Sequence, residues 1–139
     1  MTRKSSLYLI ELCVMILVFA IASVFCIRMF GHARQESLDL AARDRALTEA
    51  QNAAELVKAC GGDFDRAAAL WGGHVDETGV WTLRWNAAWE PVEEDPAYTL
   101  QVYPLADRLA GLGEAELRVS DSAGRLLCVL PVSWQKEGV

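Results

Sequence analysis

Residues 5–27, SSLYLIELCVMILVFAIASVFCI, leave this chain few ways to fold in water. In 23 residues they hold one charged side chain, Glu11. A helix needs roughly 20 apolar residues to cross a bilayer at about 1.5 Å per residue, so the span predicts a transmembrane helix. An acid at a helix centre in hydrocarbon costs on the order of 2.5–3.5 kcal/mol, less near the interface, and ordinarily has a partner. Glu11 is therefore the residue that most needs an explanation.

A cleaved secretory signal is the competing reading, with Ala20-Ile21-Ala22 mimicking its cleavage site. The apolar run continues past it through Val24, Phe25, Cys26 and Ile27, which favours a retained helix. Residues 28–139 carry 11 basic and 18 acidic side chains, a net of −7. That surplus argues against recognition of nucleic acid or anionic lipid through charge. The expected body is small, acidic and tethered to a membrane. Arg28, Arg34, Arg43 and Arg45 after the span outnumber Arg3 and Lys4 before it. By the positive-inside rule that count opposes an exported body.

Residues 28–60 contain no proline and one glycine, Gly31, among Ala, Leu, Glu, Gln and Arg, all strong helix formers. Leu40, Leu47, Ala50, Ala54 and Val57 fall on one helical face, with Arg45, Glu49, Asn52 and Glu55 opposite. Gly61-Gly62 supplies the stop. One continuous helix of about 80 Å, from near Leu7 to Cys60, is the expectation. Asp63 caps a short helix, FDRAAALW, closed by Gly72-Gly73. The period then changes to two. Trp81, Leu83 and Trp85 share a face, as do Tyr98, Leu100 and Val102, and Ala115, Leu117 and Val119. Residues 126–134 are apolar on both faces and read as a central or covered strand. Asp121-Ser122-Ala123-Gly124 reads as a hairpin turn, and residues 89–96 as an acidic, proline-bearing loop. The fold class is α+β: a long N-terminal helix packed on an antiparallel sheet of about four strands. The long helix continues over residues 28–60 and the sheet domain covers 61–139.

With Leu-Tyr-Leu-Ile-Glu-Leu opening its apolar span, this order of elements resembles the type IV pilin and pseudopilin family, whose members typically begin Phe-Thr-Leu-Ile-Glu-Leu after a prepilin peptidase cut. The resemblance, and it alone, splits the N-terminal stretch: it implies a leader over residues 1–6, a transmembrane helix over 7–27, a processing site at Ser6–Leu7 and a mature chain starting at Leu7. Leu9, Ile10, Glu11 and Leu12 match the motif, while Ser6 stands for the usual Gly and Leu7-Tyr8 for Phe-Thr. The mid-helix Gly and Pro of many pilins are missing from the span, which points to a divergent or minor member. The resemblance further implies a cytoplasmic N-terminus, an extracytoplasmic body, and partners in membrane lipid, other pilin-like subunits and the peptidase. It implies that the Glu11 carboxylate pairs with the free amine of a neighbouring subunit's Leu7. The other reading of Glu11 is a shallow acid that snorkels to headgroups or stays protonated.

Catalytic chemistry has little to stand on. His32, on the juxtamembrane helix, and His74, in a Gly-flanked loop, have no Cys, Asp or His at ligand spacing, so no metal, cofactor or enzyme activity is expected. Gly111-Leu-Gly113 lacks the setting of a nucleotide loop and reads as a turn. The acids at 93–95 read as a solvated loop, with cation binding as the alternative. Cys13 and Cys26 sit in the apolar span. Cys60 and Cys128 could form one disulfide in an exported body, or remain separate buried thiols. Of the five tryptophans, Trp81 and Trp85 share a strand face and either pack in the core or form an exposed stacking stripe. Two functions follow: a structural subunit of a pilus-like or secretion filament, or a single-pass accessory or sensor protein whose small body binds a ligand or partner.

Overall fold

The computed structural model describes residues 2–136. Helix α1 runs Thr2–Ala59 without interruption, 58 residues. Its backbone hydrogen bonds close within the segment, as a helix in lipid requires. It ends at Gly61, whose φ of 63° is the left-handed value that glycine adopts without a steric cost. There the Gly62 N–H reaches the Val57 carbonyl at 2.9 Å and the Gly61 N–H the Lys58 carbonyl at 3.0 Å. This pair of bonds satisfies carbonyls that the helix end would leave open. Helix α2, Phe64–Trp71, starts where the Asp63 side chain accepts the Arg66 N–H at 3.0 Å.

Five strands follow: β1 His74–Val75, β2 Trp81–Trp85, β3 Tyr98–Leu105, β4 Leu112–Asp121 and β5 Leu126–Gln135. They pair in chain order, every neighbour antiparallel. The architecture is α+β, a long N-terminal helix with a small antiparallel sheet. Two compact units divide the chain, one ending at Ala41 and the other beginning at Ala42. The second takes in the last part of α1 together with the sheet.

In that second unit a row of small residues on α1, Ala46, Ala50, Ala53, Ala54, Val57 and Cys60, packs with the sheet residues Trp81, Leu83, Trp85, Leu100, Val102, Ala115, Leu117, Val119 and Val132. Alanine on the helix lets the backbone approach the large sheet side chains, at no cost in side-chain entropy. The core face is rotated from the one the sequence suggests. Leu40 and Leu47 stay exposed, whereas Glu49, expected opposite the stripe, is 7% exposed. The face follows 46, 50, 53, 57 and 60, which brings Glu49 to its seam. Arg45 Nη2, one turn earlier, meets the carboxylate at 2.8 Å.

Three other expectations need correction. His74 belongs to a two-residue strand, paired with Thr82, rather than to a loop. Gly113 lies buried inside β4 rather than in a turn. Strand β5 is at the edge of the sheet, not covered within it, with Leu126 and Val129 exposed. Its two apolar faces have different causes. Cys128, Leu130 and Val132 face the core in register with Val119, Leu117 and Ala115, while Val129 and Pro131 face out. The Lys136 N–H bonds to the Gly111 carbonyl at 2.8 Å, so alternation along β5 turns the Pro131 nitrogen away from β4. An imino acid is tolerated there because no ladder bond is lost.

The β4–β5 hairpin turns on Asp121, which accepts N–H groups from Ala123 at 3.0 Å and Arg125 at 2.9 Å. The Arg125 N–H, with help from its guanidinium and the Ala123 N–H, holds the Asp121 carboxyl below its usual range. Asp76 is lowered in the same way, first by the Thr78 hydroxyl and then by the Val80 N–H. A carboxyl with a depressed folded pKa adds stability above its unfolded value of about 3.9, and that contribution is lost as pH falls through the folded pKa. Asp121→Asn should therefore flatten the acid limb of the stability profile, read as urea midpoints between about pH 6 and pH 2.5. A variant whose midpoint falls with acid as steeply as the parent's would refute this.

Candidate functional site

The residues singled out at the N-terminus all lie on α1. Ser6 and Leu7 are exposed within its helical backbone, and Glu11 is exposed one turn after Leu7, on the same face. No ion pair or hydrogen bond engages Glu11 among the described residues. From Leu7 to Ile27 every side chain is exposed except Ser23, which is half-buried and donates its hydroxyl to the Phe19 carbonyl at 2.8 Å. Bonding back to the preceding turn is the cheapest way to satisfy a hydroxyl in an apolar helix. Within α1 a window of 18 residues reaches a mean hydropathy of 2.8, enough for one membrane crossing. The surface offered to a neighbour or to lipid is thus apolar all round, with one carboxylate near its start.

Cys60 is buried at the end of α1 and Cys128 half-buried on β5, and both are free thiols rather than a cystine. Burial pushes the Cys128 thiol up, so it stays protonated and slow as a nucleophile. Among the described residues no group of three or more His, Cys, Asp or Glu is placed to hold a metal ion. His32 and His74 are exposed.

Four of the tryptophans are accounted for by packing. Trp81 is fully buried, Trp85 nearly so, and the Trp81 indole N–H donates to the Gly72 carbonyl at 3.0 Å. Trp71 lies 6.2 Å from Trp81, ring to ring. Trp89 stacks on Tyr98 at 4.1 Å and sits 5.7 Å from Trp85. Its φ of 61° is a conformation in which glycine is usual, so the stack offsets backbone strain in this turn.

Trp134 is different. Its indole lies across Gly62 and Gly113, and a Cβ at either position would fall inside it. Phe64 meets it edge-on at 6.3 Å. The Trp134 Nε1 is shielded from solvent and has no acceptor among the described residues, which costs about 1–3 kcal/mol when left unanswered. Beside it opens a cleft of about 450 Å³, within the range of ligand pockets. Its apolar wall includes Phe64, Val75, Pro104 and Leu105, and its charged lining is Asp63, Asp65, Asp107, Glu114 and Lys136. Lys136 pairs with Asp107, and Arg108 reaches Glu114 at 3.6 Å. This cleft was not anticipated from the sequence. The available hint is Gly113 itself, since glycine within a strand pattern marks a close approach by another group.

Compared with models of known families, with curated proteins and with solved structures, the chain matches none. The functional reading therefore rests on its own residues. Those residues build a long N-terminal apolar helix and an antiparallel sheet on which the helix's last turns pack, the general architecture of pilin-like proteins.

Proposed function

We propose that this chain is a pilin-like structural subunit, a minor pilin or pseudopilin of a type IV pilus or a type II secretion-like filament. The observation that carries the reading is α1, one unbroken helix that is apolar and exposed at its start and core-forming at its end. A plain membrane anchor needs only a span and a linker, whereas this helix enters the fold of the body it carries. In this reading α1 holds the subunit in the membrane, body outside the cytoplasm, until it packs among the helices of its neighbours. Prepilin peptidase cuts at Ser6–Leu7, and the new Leu7 amine of one subunit pairs with Glu11 of another. Two charges that are each costly in hydrocarbon then neutralise one another, which ties assembly to cleavage.

The test is the N-terminus of the protein recovered from membranes of its native host. A chain beginning at Leu7 is expected. One beginning at Met1 or Thr2 would overturn the reading and favour the second, a single-pass accessory or sensor protein. The cleft beside Trp134 is the observation on that side.

A further inference from the structure

The net charge of −7 beyond the apolar span hides how that charge is distributed. Residues 46–139 hold 7 basic and 15 acidic side chains, a net of −8. Between Glu11 and Glu36 there is no acid, and the two cations in that stretch are Arg28 and Arg34. Both are exposed on α1, with neither an ion pair nor a hydrogen bond among the described residues. Further along the chain Arg45, Lys58, Arg108 and Arg118 each reach an acid. A chain rich in carboxylates thus leaves unanswered the two cations that follow its apolar span.

Their depth selects what they meet. Along the helix axis Arg28 lies about 1.5 Å past Ile27, the last residue of the span, Arg34 about 10 Å, and Glu36, the first acid, about 14 Å. A bilayer is about 30 Å thick across its hydrocarbon and about 40–45 Å with its headgroups, which leaves a polar layer of about 5–7 Å on each side. Arg28 falls inside that layer. Arg34 falls just above it, within reach of a side chain that bends back to the surface. The first carboxylate lies beyond both. His32, one turn after Arg28, adds an N–H donor. Arg28 and His32 line one groove of α1 with Phe25 and Met29, so cation and acyl-facing surface occur side by side, and Glu36 closes the far end.

We propose that Arg28, with His32 and Arg34, forms a collar that binds the phosphates of anionic phospholipid headgroups on the side of the membrane that carries the body; the inference rests on the membrane anchoring in the reading above. A guanidinium meets phosphate oxygens with two parallel N–H donors and is drawn to the negative potential of an anionic surface. Arg34, six residues after Arg28, projects from another side of the helix, so the collar meets two headgroups rather than one. Withdrawing α1 from the membrane breaks these contacts. Anionic lipid therefore retains the chain until it assembles.

The experiment uses the full chain in two steps. Reconstituted into phosphatidylcholine vesicles and washed with alkaline carbonate, the parent and the Arg28→Gln, Arg34→Gln double variant are both expected to float with the lipid. A parent that does not float would overturn the anchoring, and the collar with it. The chain is then placed in detergent micelles holding equal amounts of phosphatidylglycerol and phosphatidylcholine, and the lipid it retains is counted by mass spectrometry of the intact complex. The parent should favour phosphatidylglycerol about fivefold or more, the effect of one arginine at an anionic surface, and the double variant should fall to near parity. Parity in the parent, or an unchanged preference in the double variant, would reject the collar and leave anchoring and the Leu7 test standing. So would loss of the preference in excess inorganic phosphate, which would mark a free-anion site. Lipid-free dimers that the double variant fails to form would also reject it, assigning the arginines to the acids of a second copy.

Discussion

Glu11→Ala is expected to abolish incorporation of the chain into filaments while leaving its membrane insertion intact. The two effects separate because the carboxylate is unfavourable for one and required for the other. Removing an acid from near the start of an apolar helix relieves burial cost of at most about 2.5–3.5 kcal/mol, the value at a helix centre, so the variant inserts at least as readily as the parent. In the proposed filament, assembly loses the anion that would neutralise a neighbour's Leu7 amine, and that amine would then be buried unpaired. Breaking one partner of a buried ion pair costs about 3–5 kcal/mol, which lowers association by a factor of about 100 or more. The measurement is the amount of chain in a sheared filament fraction against the amount in the membrane fraction. Normal filament yield from Glu11→Ala would sink the pairing. Because the body is distant in sequence from this position, its thermal unfolding serves as the control.

Trp81→Ala should cost the second unit about 3–5 kcal/mol, the range for truncating a buried aromatic. Trp81 is fully buried, contacts α1's small-residue row through the core, and anchors the end of α2 through the Gly72 carbonyl. A small unit with total stability of about 5–15 kcal/mol would be left near its unfolding limit. Trp81→Phe keeps most of the ring area and gives up the hydrogen bond, so its loss should be about 1–3 kcal/mol. Chemical unfolding of the full chain in detergent, followed by circular dichroism in the β region, distinguishes the two. A cost below about 1 kcal/mol for the alanine variant would be incompatible with its place in the core.

Much of the fold was legible because single residues carry it. The change of period after Gly73, the Asp63 cap and the Gly61-Gly62 stop each have one local physical cause, and the helices and four longer strands follow from them. What local reasoning missed depends on neighbours. Strand β1 is two residues long and has no period to read. An apolar run such as β5 looks the same in the middle of a sheet as at its edge, since only partners distinguish the two. Leu40 and Leu47 suggest a core face that would leave Glu49 in solvent, yet the alanines set it. Alanine is a weak marker in sequence and a strong one in packing. At the site, Glu11 stood out by its cost in an apolar span. The Trp134 cleft did not, because it depends on Gly62, Phe64 and Gly113 converging from three elements.

Under the proposed membrane anchoring, Pro131 and the two-residue β1 bear on a different problem, that of a protein held at high density on a surface. Anchored chains diffuse in two dimensions with their bodies side by side, where strand edges would meet often. One edge of this sheet presents a nitrogen with no hydrogen to give, and the other is too short to template a neighbour. Crowding can therefore rise without the bodies fusing into extended sheets. A reservoir of such chains would remain fluid.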